Sequence, residues 1–187
     1  QGGELVAQGE LSLSGERLDN GAGGLVGSTK ALKIDVASID NRGGNLSSQQ
    51  QVEVSGALLD NSGGKLLAGT ALEVTVTRVI NQARGLLFAQ DINLGGTRLD
   101  NGGGTIAAQH DLGVRLLGDL DNAQGSLSSE GKLTLTGNQL DNRAGSLSSA
   151  GLLKLQASAA LLNQGGTVES ADLLDLRSAS LDNSAQG

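Results

Sequence analysis

The sequence has no proline, cysteine, methionine, tryptophan or tyrosine, and Phe88 is its only aromatic residue. Without cysteine there are no disulfides, no thiol nucleophile and no thiolate metal site. Aromatic side chains supply much of the buried area of ordinary cores. An interior here must therefore be built from Leu, Ile, Val and Ala in similar, repeated layers. A chain this poor in aromatics can be disordered. Yet 37% of its residues are hydrophobic and they recur at fixed positions, which excludes disorder. No apolar run approaches the ~20 residues of a membrane span, so no membrane insertion is expected. The formal net charge of −7 weighs against a nucleic acid or an anionic membrane as partner.

What the sequence does hold is a repeat. A Leu-Asp-Asn signature recurs nine times, and its asparagines are Asn20, Asn41, Asn61, Asn81, Asn101, Asn122, Asn142, Asn163 and Asn183. Their spacings are 20 or 21 residues. Three places after each Asn there is usually a glycine, such as Gly44, Gly64 or Gly104. Five places on is an apolar residue: Leu25, Leu46, Leu66, Leu86, Ile106, Leu127, Leu147 or Val168. Seven places on is a small residue, with Phe88 the exception. An apolar pair two apart follows, such as Val52 and Val54 or Leu133 and Leu135.

Spacings of two within each segment describe strands, and the helical spacings of three and four are missing. Each coil therefore reads as three short strands joined by turns rich in Gly, Asn and Ser. Strands this short cannot form separate sheets without hairpin signals. Stacking coil on coil solves the problem, because each strand then pairs in parallel with its copy ~4.8 Å along an axis. The predicted fold is all-β: a right-handed parallel β-helix of about nine coils of ~20 residues. A single segment spanning residues 1–187, part of a longer rod, is expected because both ends fall within a repeat. The extra residue of the 21-residue coils should lie in turns. After Asn20 it is expected between Leu25 and Leu32, and after Asn101 and Asn142 between the apolar pair and the next signature.

Asparagine is present in all nine signatures, whereas Ile80 and Leu162 replace the aspartate. Asn is therefore the stricter requirement, and a ladder of stacked amides explains it. For the aspartates, turn chemistry at a corner is preferred over a calcium ladder, whose nine-residue glycine pattern does not occur. Glu53 and Glu73 share one outward row, but Asn93, Gly113 and Thr134 follow, so no acidic cleft of the kind hydrolysis needs is expected. His110 stands alone and cannot build a metal site or a triad. Catalysis, metals and cofactors are thus not expected. In this frame Phe88 points inward between Ala68 and Ala108, while Leu67 and Leu87 stack outward with Ile80 on the preceding corner. Leu67, Leu87 and Ile80 form the candidate docking patch.

The run Leu140-Asp141-Asn142-Arg143-Ala144-Gly145-Ser146-Leu147-Ser148-Ser149 resembles the haemagglutinin repeats of filamentous haemagglutinin and related two-partner secretion exoproteins. The same repeats occur in contact-dependent growth inhibition effectors. The resemblance covers essentially the whole chain. It implies a β-helical shaft secreted to the cell surface of a Gram-negative bacterium through a dedicated outer-membrane transporter. The parent would be a filamentous adhesin; alternatives are a toxin-delivery stalk or a module that itself binds a host-cell receptor or glycan.

Overall fold

A computed structural model describes residues 2–184. All regular structure in it is strand, and all strand pairs are parallel. Each coil begins with a four-residue strand, for example Asn45–Ser48 or Ser126–Ser129. These short strands stack into a nine-stranded sheet in chain order. The rest of the coil forms a twelve-stranded sheet. The chain is a β-solenoid of about nine coils, roughly 40 Å long at the spacing of paired strands.

The expected three strands per coil are reduced to two over much of the rod. The second and third run together in single strands of nine or ten residues, such as Leu32–Asp40, Val52–Asp60 and Leu153–Leu162. Only in the middle coils do they separate, as in Leu112–Leu116 and Leu120–Asp121. The corner between them is a bend, not a loop: the register lapses there for one or two residues and resumes in the same coil pair.

The interior is a stack of aliphatic files. Leu46, Leu66, Ile106 and Leu127 are fully buried along the short sheet, facing Leu32, Val52, Leu72 and Leu112. Two coils depart from the expected frame. Val26, not Leu25, pairs with Leu46, and Leu87, not Leu86, pairs with Leu66 and Ile106. The extra residue after Asn20 therefore lies in the first turn, before Val26, and not between Leu25 and Leu32. The coil after Asn81 gains a residue at the same turn and loses one between Ala89 and Ile92, which keeps its length at 20. The extra residues after Asn101 and Asn142 fall where expected, between the apolar pair and the next signature.

That first turn explains the shift. In most coils the amide of the glycine three places on bonds the asparagine carbonyl, as from Gly44 to Asn41 at 3.0 Å. The residue before it has φ near +60°, as at Gly43, Gly63, Gly103 and Gly165. In the two shifted coils the turn moves one place on, from Gly21 to Gly24 and from Gln82 to Gly85. Both central residues then have positive φ, Ala22 with Gly23 and Ala83 with Arg84, as in a type I′ turn.

The closing glycine itself, Gly44, Gly64, Gly85, Gly104, Gly125, Gly145 or Gly166, answers a different need. A Cβ there would overlap the backbone carbonyl of the preceding coil's asparagine. The glycine is thus required by stacking, not by φ. Replacing Gly104 with Ala should destabilise the rod by about 1–3 kcal/mol or more through overpacking, read as a lower urea midpoint. By contrast, Ala144 (φ 52°) and Gln124 (φ 58°) occupy the left-handed position that glycine fills elsewhere. Ala144→Gly should stabilise the rod by about 0.5–1 kcal/mol, read as a higher urea midpoint, since left-handed strain exceeds glycine's entropic cost.

Candidate functional site: the asparagine file and the outer faces

The asparagines form one unbroken file. Each Nδ2 donates to Oδ1 of the next: Asn20 to Asn41 at 2.8 Å, Asn41 to Asn61 at 2.6 Å, Asn61 to Asn81 at 2.7 Å and Asn81 to Asn101 at 2.8 Å. The file continues from Asn101 through Asn122, Asn142 and Asn163 to Asn183, each step at 2.7 Å. From Asn20 to Asn163 the second N–H of each amide reaches a backbone carbonyl, such as Thr105 from Asn81 at 3.1 Å or Thr167 from Asn142 at 3.0 Å. Asn41 through Asn122 are fully buried, so an unpaired amide there would be costly.

A second polar file closes the other end of the short strands. Ser28 donates to the Lys30 carbonyl at 2.8 Å, Ser149 to Gly131 at 2.7 Å and Ser170 to Gly151 at 2.7 Å. In the middle coils Ala68, Ala89 and Ala108 occupy this row. Phe88 does not, contrary to the expectation from spacing.

The aspartates do turn chemistry. The Oδ1 of Asp19, Asp40, Asp60, Asp121, Asp141 and Asp182 accepts the amide two residues on. Asp100 differs: it is 1% exposed and is held by Arg78 at 2.5 Å and Arg98 at 2.7 Å. Hydrogen bonds from Arg42 hold the Asp40 carboxyl down at about 2, against the opposing effect of burial. At Asp141, burial alone would raise the carboxyl, but the Arg143 hydrogen bonds outweigh it and the net shift is downward. Among the described residues no group of three His, Asp or Glu is arranged to hold a metal ion.

The remaining candidates lie on separate surfaces. Glu53 and Glu73 are neighbours in one outward row, as expected. Glu53 is met by Lys33 at 3.9 Å and Glu73 by the Asn93 amide at 2.9 Å. His110 sits in an exposed turn, with Nδ1 3.6 Å from Asp91.

The candidate patch changes composition. Leu87 is 0% exposed and belongs to the core, so it cannot contribute to a docking surface. Phe88 takes its place on the outside, 37% exposed, between Leu67 and Ala107. Ile80 is half-buried at the corner, between Asp60 and Asp100. The signal for the inversion was the glycine displaced to Gly85, which moves the following strand by one residue and exchanges its faces.

The outer faces of the two sheets differ sharply in charge. The outward rows of the larger sheet carry Lys33, Glu53, Glu73, Lys154 and Asp175, and beside them Asp35, Arg115 and Arg177. Those of the nine-stranded sheet carry only Glu4, Lys65 and Glu169. The rest of that face is Ser, Thr, Gly, Ala and Asn, with Leu25, Leu86, Leu67, Phe88 and Val6 as its larger apolar groups.

These features define a β-solenoid rod sealed along one corner by an amide file. The haemagglutinin repeat model matches residues 1–87, 63–157, 111–178 and 149–187, which together span the chain. The chain belongs to the haemagglutinin repeat family of filamentous haemagglutinins, whose members are secreted or surface-exposed. No curated protein and no solved structure matches it.

Breaking the file mid-rod strands two buried partners. Asn101→Ala leaves one N–H of the Asn81 amide and the Oδ1 of Asn122 without partners and should cost about 2–6 kcal/mol at ~1–3 per orphaned group. The equivalent change at the terminal Asn183 should cost less, and paired urea titrations compare them. Asp40 contributes stability above its ordinary carboxylate range, and this is lost as pH falls towards about 2. Arg42→Ala should bring the Asp40 titration, followed by NMR, up towards the ordinary value near 4 and start acid unfolding at higher pH.

Proposed function

We propose that this chain is a structural rod segment of a large secreted filamentous adhesin, one stretch of a shaft that carries distal binding regions away from the cell surface. The reading rests most on the continuity of axial bonding. Backbone pairs and the asparagine file run through every coil from Asn20 to Asn183, so each added coil lengthens the rod by repeating the same contacts. The turns between strands are short and raise no walls around a cleft. The Glu53–Glu73 pair is occupied by Lys33 and Asn93 on an open face. These arrangements support a role without catalysis.

By family membership, passage of the parent protein through an outer-membrane two-partner secretion transporter of a Gram-negative bacterium is part of this proposal. A role as the stalk of a toxin-delivery protein uses the same rod mechanics and differs only in what the shaft carries.

The chain itself is therefore expected to scatter X-rays as a short rod, to bind no glycan on an array, and to release no reducing sugar from polysaccharides. Saturable retention of a glycan at micromolar concentration would replace the shaft with a direct binding module. Steady sugar release would replace it with an enzyme.

A further inference from the structure

Phe88 is the one aromatic residue of the chain, and it stands on the outer face of the nine-stranded sheet. A lone ring on a face of small, uncharged residues is the composition of an interface core, where charged groups are depleted and aromatics enriched. The same row carries its counterpart. Three strands before Phe88, Gly27 and Ser47 floor a notch of about 410 Å³ walled by Val6, Leu25 and Leu67. Knob and notch lie on one straight row, at the third position of each short strand. A two-fold axis along the strand direction preserves position across the sheet while reversing the rod. Placed close to Leu67, it carries Phe88 of each copy onto the notch of the other.

We propose that the outer face of the nine-stranded sheet pairs with a second copy of this chain, antiparallel, with Phe88 of each copy seated over Gly27 and Ser47 of its partner. Such a contact is isologous: one surface supplies both knob and socket, and the assembly closes at two. A flat sheet face presents ridges ~4.8 Å apart, and an identical face has the matching spacing. Most of the overlapping face is uncharged, and its two charged residues, Glu4 and Lys65, are exposed at the first position of their strands, along the edge of the face, where their long stems keep the charged ends in water. About six coils overlap, a face of roughly 13 by 30 Å on each copy and on the order of 1,000 Å² in total. That is the size of weak, concentration-dependent contacts. The inference goes beyond the shaft reading, since a rod can serve its purpose unpaired.

Sedimentation equilibrium of the chain from micromolar to millimolar concentration should show a monomer–dimer equilibrium. Phe88→Ser, which removes the knob, and Gly27→Gln, which fills the notch, should each weaken it by about tenfold or more. A Cβ at Gly27 meets only ordinary contacts, the nearest being Ser47 Oγ at 3.6 Å, so the second variant leaves the fold intact, checked by unchanged thermal melting. Thr134→Gln, on the other sheet, should leave association unchanged. The chain has no cysteine, so Phe88→Cys and Gly27→Cys chains can be mixed and joined with a short bis-maleimide linker. The mixed species should exceed either homodimer. A monomer throughout the range, or association indifferent to both variants and without the mixed cross-link, as end-to-end stacking would give, overturns the proposal.

Discussion

The carboxamide of asparagine carries two donors and an acceptor on a short, stiff stem. Stacked at the spacing of parallel strands, one donor reaches the acceptor of the next amide and the other reaches a backbone carbonyl. No other side chain of this size repeats itself in that way. The file also fixes the backbone beside it. Each asparagine's own carbonyl projects to where the Cβ of the next coil's closing residue would lie, so that residue must be glycine. Amide and glycine are thus one interlocking unit, and the aliphatic interior is assembled to its spacing. The first turn can change length, as it does after Asn20 and Asn81, because the glycine moves with it and the file is undisturbed.

The neighbouring aspartate is less constrained because its work is local. It accepts an amide two residues on within its own coil, and Arg42, Arg98 and Arg143 offset the carboxylates that stacking brings together. Where Ile80 and Leu162 replace it, the backbone pairing of the corner continues unchanged. Asp100 has become a buried ion pair flanked by two arginines, which is structural in character and leaves no open charge for a ligand.

These local devices give a rod with two unlike sides. The larger sheet presents a mixed-charge, solvated face that resists non-specific association. The nine-stranded sheet presents a nearly neutral one on which Phe88 is the single large ring. A shaft that only had to stay soluble would have no need for that asymmetry, and the strand pairing of the core does not require it either.

The repeat length, the parallel stacking, the asparagine file and the turn role of the aspartates were all legible in one sequence, because a contact repeated nine times leaves a periodic record. The merging of the second and third strands was not, since a bend after which the register resumes has no distinctive residue. Nor was the placement of Leu86, Leu87 and Phe88. Two adjacent leucines satisfy the core position in either frame, and a strand moved by one residue exchanges its buried and exposed faces. Sequence alone determined which residues recur, and hence the axis and spacing of the solenoid. Only the stacked structure decided the frame of each coil, because the length of a turn is set by whether its closing glycine clears the carbonyl of the coil before it.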